Sequence, residues 1–238
     1  MCRVKRISPA RRVALVVITL GALAAAGACS STGPKPAPPQ GVCTFDKIAR
    51  FSSREVGTPP VTAIPTSGTA TMTVRTNLGT ITIEIDRAAA PCAAVSYAYL
   101  AGRHYFDGGR CNRLTTDEIY TLTCGDPKDS GLGTGPTYGF AEAHSGAAPS
   151  AGTSQAYPRG TVALVNQGTP TSNGAEFFII YKDTELPAGA YPVFGRVTSG
   201  MSIVDKVAKA GVFQSDQDQS PSDGPTKTAL TVTSVTVS

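Results

Sequence analysis

The residues of this 238-residue chain that could do chemistry are few. There are six cysteines (Cys2, Cys29, Cys43, Cys92, Cys111 and Cys124), two histidines (His104 and His144) and no tryptophan. Cysteine and histidine together raise the question of zinc. No C-x-x-C pair occurs and the two histidines are not at ligand spacing, so no metal site is expected. His104 precedes Tyr105-Phe106 and reads as a helix-end or loop histidine, and His144 falls in a small-residue stretch and reads as solvated. The glycine-rich stretch 131–139 superficially suggests a phosphate cradle. No Gly-Lys-Ser/Thr follows it and no helical pattern opens from it, so it reads as an irregular surface loop. Cys43, Cys92, Cys111 and Cys124 lie in the body of the chain. An even number in an exported chain favours one or two disulfides, with buried free thiols as the alternative. Four cysteines allow three connectivities, and the spacing does not choose among them.

The formal net charge of +4 suggests a polyanion-binding protein until the charges are placed. Arg3, Lys5, Arg6, Arg11 and Arg12 lie in the first twelve residues, and no Asp or Glu occurs before Asp46. Of the 21 Lys and Arg, 16 remain beyond residue 28, against 17 Asp and Glu. The body is therefore nearly neutral and carries no electrostatic case for nucleic acid.

The basic start is followed by an almost unbroken apolar run, 13–26, and then by Ala26-Gly27-Ala28-Cys29. A charged segment, a short apolar run and small residues before a cut describe an export signal. The run is shorter than the ~20 residues that span a bilayer comfortably. A Cys directly after small residues resembles a bacterial lipobox, in which Cys29 receives a lipid and becomes the mature N-terminus. Ala26 stands where an aliphatic residue is usual. Ordinary cleavage after Ala28, giving a secreted protein, and an uncleaved anchor are the alternatives. Residues 30–40 (SSTGPKPAPPQ) cannot build a core and read as an extended spacer. The expected organisation is a lipoprotein-type signal at 1–28, a lipidated spacer at 29–42, an N-terminal extension at 43–68 and a folded domain at 69–238.

Positioning elements can be read along that domain. Residues 69–76 (TATMTVRT) and 80–86 (TITIEID) alternate and are rich in β-branched types, with Asn77-Leu78-Gly79 as a turn between them. Residues 88–101 read as a helix whose Pro91 suits the first turn, closed by Gly102. Residues 111–114, 119–124, 160–166, 177–181 and 193–197 are strand candidates. Ile203, Val204 and Val207 mark a helix over 201–210, with Gly211 at its end. The polar stretch 214–227 reads as a loop, and 228–237 (TALTVTSVTV) as a closing strand. About eight strands and two helices fit a mainly β barrel or sandwich with helical plugs.

Five segments then stand in a telling order: Tyr105-Phe106-Asp107-Gly108, Cys111-Asn112-Arg113-Leu114, Cys124-Gly125-Asp126-Pro127, Asn173-Gly174-Ala175-Glu176-Phe177-Phe178-Ile179 and Val193-Phe194-Gly195-Arg196-Val197. They resemble the cyclophilin family of peptidyl-prolyl cis-trans isomerases, whose pattern runs YYDG, FHR(I/L), QGGD, NGSQFFI and VFGKV. The chain looks like the exported bacterial members with a Thr-Thr insertion after Arg-Leu and a CGDP turn. The resemblance covers roughly 69–237. It implies an eight-stranded antiparallel barrel capped by two α-helices, with the active groove on the barrel's outer face.

It also implies the site. Arg113 would be the catalytic guanidinium. Phe178 would floor the proline pocket, while Phe177, its strand neighbour, faces the core. Tyr120 falls at a family Phe position, Asn166 at the backbone-binding A-N segment, Leu186 at a Trp position and Tyr191 at a groove His position. Thr123 stands where the family has a Gln that orients the arginine, and Glu176 where it has a second groove Gln. An amide donates and accepts, whereas a carboxylate only accepts. Glu176 could therefore pair with Arg113 in place of the missing Gln, or neutralise it and obstruct substrate. The expected function is X-Pro isomerisation assisting the folding of exported proteins at the outer face of the cytoplasmic membrane. The alternative is a prolyl-peptide-binding chaperone of little or no catalytic power on the same fold. The chemistry needs no nucleophile, metal or cofactor. Proline-containing polypeptides are the expected partners of a monomer, and the lack of the Trp implies weak cyclosporin binding.

Overall fold

The computed structural model describes residues 41–49, 54–60, 64–127, 135–142, 152–169, 171–214 and 221–238. The signal, Cys29, most of the spacer and His144 lie outside the described residues.

Sequence alternation builds the first hairpin. In β2 (Thr69–Thr76) Ala70, Met72 and Val74 are buried, and in β3 (Gly79–Asp86) Ile81, Ile83 and Ile85. The two strands pair in unbroken register from Thr69↔Asp86 to Thr76↔Gly79, so one face of the hairpin is wholly apolar. Further strands extend it: β4 (Arg110–Thr115), β5 (Thr121–Cys124), β8 (Thr161–Leu164), β9 (Phe177–Ile180), β11 (Val193–Ser199) and β12 (Asp223–Val237). They close an eight-stranded barrel in the order β11-β3-β2-β12-β4-β5-β9-β8, antiparallel at every seam. Closure leaves the barrel itself without a free edge, and a barrel of this size is filled by its own side chains. Ligand space must therefore lie outside it.

Among the described residues, two helices sit against the barrel. Helix α1 (Pro91–Gly102) begins with Pro91 at its first turn, as the sequence predicts. It has no side-chain cap of its own. The buried Glu142 supplies one from a distance, its Oε1 accepting the Ala93 N–H. A carboxylate at that end also suits the helix dipole. Tyr97 of α1 stacks on Phe194 of β11 at 4.9 Å and meets Phe177 of β9 edge-on at 5.8 Å, joining helix and barrel in one aromatic cluster. Helix α2 (Met201–Ala210) matches the sequence expectation and buries Val204 and Val207. Its N-cap, Gly200, has φ +91°, and a Cβ there would meet the Thr80 carbonyl oxygen at 2.5 Å, so the tight passage from β11 requires glycine.

Four short strands form two ribbons outside the barrel. Strand β1 (Phe45–Lys47) pairs with β6 (Tyr138–Phe140), and β7 (Ser154–Tyr157) with β10 (Thr184–Pro187). Strand β6 corrects the surface-loop reading of 131–139 at its C-terminal end, where Tyr138 is fully buried like Phe140 beyond it, and 131–134 lie outside the described residues. Both rings pack against Phe45 of β1, whose paired residues lie 91 to 95 positions earlier, a pairing no local pattern discloses. Two disulfides replace the open choice among connectivities. Cys43–Cys92 ties the N-terminal extension to α1, and Cys111–Cys124 crosses from β4 to β5. Arg54 strengthens the first attachment by donating to the carbonyls of His104, Tyr105 and Asp107 at the end of α1. Strand β12 begins at Asp223 rather than 228, which corrects the loop reading of 214–227 at its C-terminal end.

Candidate active site

The registers of four neighbouring strands set out the site. Arg113 on β4 lies opposite Thr123 on β5, Thr123 opposite Phe178 on β9, and Phe178 opposite Ala163 on β8. Residues directly opposite in an antiparallel ladder project to the same face. Their successors or predecessors, Leu114, Leu122, Ile179 and Val162, form the parallel row that points inward, and each is at most 1% exposed. The row Arg113–Thr123–Phe178–Ala163 is thus the barrel's outer face. Two strand spacings, about 10 Å, separate the backbones that carry the guanidinium and the Phe178 ring.

Around Phe178 a second apolar cluster has formed, distinct from the barrel core. It contains Tyr157, Ala163, Ile180 and Leu186, with Val165 and Tyr191 packed against it. The Phe178 ring meets Tyr191 edge-on at 5.2 Å. The Tyr157 hydroxyl donates to the Tyr191 carbonyl at 2.9 Å, so the ribbon β7–β10 fixes the segment that carries Tyr191. Leu186, on β10, is buried in the same cluster. Asn166 holds the other side: its Nδ2 donates to the Ala190 carbonyl and its Oδ1 accepts the Gly168 N–H at 3.0 Å. One end of that side chain thus holds the loop next to Tyr191, and the other closes its own turn at Gly168.

Tyr120 stands apart from this cluster. Its N–H donates to Thr184 Oγ1 at 3.1 Å, its ring meets Tyr181 edge-on at 5.8 Å, and Lys182 Nζ lies 4.1 Å above it. Burial, with the neighbouring Tyr120, pushes the Tyr181 hydroxyl up to about 12. Tyr181 donates to the Thr115 carbonyl at 2.6 Å, which ties this aromatic pair to the strand of Arg113.

The partner of Arg113 is a residue the sequence pattern did not single out. Nε donates to Asp223 Oδ1 at 2.8 Å and Nη2 to Oδ2 at 2.6 Å, a two-pronged ion pair. The hydrogen bond to Asp223 is the main reason the guanidinium's proton affinity is raised. Burial opposes it, and the charges of Asp223, Tyr191 and, least, Glu176 add to it. The same bond, aided by Arg113's charge and opposed by burial, holds the Asp223 carboxyl below the usual carboxylate range. The sequence leaves open whether Glu176 pairs with Arg113 or neutralises it; the two-pronged fork is made by Asp223. Glu176 reaches the site from the segment before β9, where its carbonyl accepts the Val165 N–H at 3.1 Å. Gly125 lets that segment in: with φ +106°, a Cβ there would meet the Ala175 carbonyl oxygen at 2.2 Å.

Among the described residues, no three His, Cys, Asp or Glu side chains are placed to share a metal ion. A cavity of about 660 Å³ is lined in part by Tyr191, Glu84, Asp86, Val193 and Arg196. Arg113 and Phe178 do not line it, but Tyr191 does, so the cavity and the Phe178 cluster share that residue.

Residues 71–237, more than two thirds of the chain, match the profile of the family described as cyclophilin type peptidyl-prolyl cis-trans isomerase/CLD. The chain belongs to the cyclophilin family. Among curated relatives of this cyclophilin, the probable peptidyl-prolyl cis-trans isomerase B of Mycobacterium leprae is 35% identical over 201 residues, covering 81% of this chain and 65% of the relative. The protein of the same description from Mycobacterium tuberculosis is also 35% identical, with 81% and 63% covered. The chain thus spans just under two thirds of the length of these two relatives. A peptidyl-prolyl cis-trans isomerase-like 1 of Neurospora crassa is 30% identical over 62% of this chain and 85% of its own. The fold matches a crystal structure of a Cryptosporidium parvum cyclophilin type isomerase with a TM-score of 0.54 at 18% identity, covering 72% of this chain and 98% of that one. A second structure of that protein, obtained in the presence of the dipeptide Ala-Pro, gives a TM-score of 0.52 at 19% identity, covering 71% and 98%.

Proposed function

We propose that this chain catalyses cis-trans isomerisation of X-Pro peptide bonds. One observation carries the reading: a guanidinium and an apolar ring cluster face outward in a single cross-strand row, Arg113–Thr123–Phe178–Ala163. Rotation about X-Pro must overcome an amide-resonance barrier of about 18–20 kcal/mol. Catalysis requires only that the twisted amide be bound better than either planar form. As the bond twists, the prolyl nitrogen recovers a lone pair that accepts a hydrogen bond, and an arginine is a donor that stays charged. The cluster of Phe178, Leu186 and Tyr191 grips the proline ring while Arg113 meets the amide. Asn166 shapes the loop on which Tyr191 stands. The Ala-Pro dipeptide used with the Cryptosporidium relative supports proline-containing peptides as the ligand class.

The same reading places the protein at the cell envelope, serving exported polypeptides. Its support is the basic and apolar start ending at Cys29, and two disulfides, which persist in oxidising compartments. Mass spectrometry of the mature N-terminus is expected to show a lipid on Cys29, and an unmodified Cys29 would refute the anchor.

A protease-coupled isomerisation assay on an Ala-Pro peptide tests the activity. A rate above the uncatalysed one is expected. Proline-peptide binding without any such rate would point to the non-catalytic chaperone reading, which the Thr123 and Glu176 departures motivate.

A further inference from the structure

The Arg113–Asp223 pair is better formed than its contribution to stability explains. Both side chains are about half exposed, 57% for Arg113 and 46% for Asp223. Ion pairs at that exposure contribute little to folding. Yet both prongs are short and the carboxylate meets the Nε/Nη2 edge of the guanidinium squarely. Such a fork fixes the plane of the guanidinium, which a single contact does not.

The backbone of Asp223 is itself held. Ser222 accepts the Thr116 N–H at 2.8 Å just before it, and Gly224 and Pro225 pair with Leu114 and Arg113 just after it. Pro225 in turn accepts the Phe213 N–H at 2.7 Å, and Lys227 donates to Gly211 at 2.9 Å. Asp223 pairs directly with Thr115, which makes it the diagonal same-face neighbour of Arg113. The carboxylate thus comes from a clamped strand start, a support of the kind that keeps a reacting group in place.

The direction of the fork is what matters. A guanidinium has five N–H groups. Asp223 takes two, from the β12 side of β4. Both Nη1 N–H groups and the second on Nη2 are not taken by Asp223, and β5 and β9, which carry Thr123 and Phe178, lie on the side of β4 opposite β12. Thr123, directly across from Arg113, has only a short hydroxyl where the family pattern places a Gln.

We propose that Asp223 is the positioning residue of this site: its carboxylate orients Arg113 so that the free guanidinium edge faces an amide held over Phe178. This rests on the isomerase reading above. It adds that the arginine is steered from the last strand of the barrel, in the role the missing Gln would fill at Thr123.

The test uses the full folded chain, with kcat and KM measured separately on an Ala-Pro peptide for the parent, Arg113→Ala, Asp223→Asn and Asp223→Glu. Asp223→Asn keeps the shape but offers one acceptor and sets an NH2 group against a guanidinium N–H. It is expected to lower kcat by about tenfold to about 10²-fold, the range for a misplaced catalytic group, with little change in KM or melting temperature. Asp223→Glu should recover part of the loss. A nitrogen-resolved NMR spectrum gives a readout independent of turnover: Arg113 Nε–H should give one slowly exchanging resonance in the parent that is lost in Asp223→Asn. Full kcat in Asp223→Asn, with activity abolished in Arg113→Ala, would overturn the positioning role while leaving the isomerase reading intact. A parent with no Arg113-dependent rate would overturn both. An Arg113 Nε–H resonance unaffected by Asp223→Asn would show that the fork does not hold the guanidinium.

Discussion

Phe177 and Phe178, adjacent on β9, stand on opposite sides of the barrel wall. Phe177 packs inward against Tyr97 and Phe194 at 5.8 and 6.1 Å, and Phe178 packs outward against Tyr191 at 5.2 Å. Both are nearly fully buried, so burial alone would not separate a core residue from a groove residue. The face does. Phe177→Ala is expected to cost about 3–5 kcal/mol of stability, as for other large-to-small core changes. Phe178→Ala opens the smaller outer cluster. It should raise KM for a prolyl peptide by about tenfold or more while lowering the melting temperature less than Phe177→Ala. Equal effects on KM from the two variants would contradict the assignment.

The pH dependence follows from the same pair of charges. The hydrogen bond from Arg113 holds the folded Asp223 carboxyl below the ordinary carboxylate range. Its contribution to stability is therefore complete above the ordinary carboxylate pKa and is lost as the pH falls through the lowered value. Arg113 is shifted upward, so it stays protonated throughout the working range. Isomerase kcat measured by NMR exchange should lack any acid limb attributable to Asp223 until below the usual carboxylate range. A limb at about pH 4–5 that disappears in Asp223→Asn would contradict the lowered value.

Glu176 sets a third expectation. Asp223 already forks the guanidinium, and the Glu176 carboxylate acts on Arg113 through its charge, less strongly than Asp223 or Tyr191. Replacing it with Gln restores a group that can also donate. Glu176→Gln should raise kcat/KM by roughly twofold to fivefold, a fraction of a pKa-unit equivalent in free energy. A large loss would show that Glu176 helps to hold Arg113.

The disulfides join residues 49 and 13 apart in sequence. By chain entropy, cross-links of these spans stabilise by about 4 and about 3 kcal/mol respectively. Reduction should lower the melting temperature markedly. Peptide mapping without reduction should recover Cys43 linked to Cys92 and Cys111 linked to Cys124. Any other pairing would contradict the fold around α1 and β4.

How much of this was legible beforehand depended on whether a feature was local. The hairpin β2–β3 and both helices stood out because period and punctuation agree there, down to Pro91 and Gly211. The opposed faces of Phe177 and Phe178 followed from strand alternation alone. Asp223 was hidden for a physical reason. It opens β12 in the stretch Asp223-Gly224-Pro225-Thr226-Lys227, where no apolar alternation exists, and the register with β4 shifts between Pro225 and Leu230. A strand start of that kind is held by its neighbours rather than by its own pattern. Strand β6 was hidden similarly, since Tyr138 and Phe140 sit beside glycines and pair with the distant β1. Tyr120 falls at a family Phe position by resemblance, and the contacts of its ring with Tyr181 and Lys182, 61 and 62 residues on, are of a kind no local pattern discloses.

The most direct measurement is the isomerisation rate of an Ala-Pro peptide with the parent chain and with Arg113→Ala, both confirmed folded by their melting curves. A parent rate clearly above the uncatalysed one, falling by at least about 10²-fold in Arg113→Ala, is predicted from the loss of a preorganised donor. An Arg113→Ala variant as fast as the parent would contradict the account.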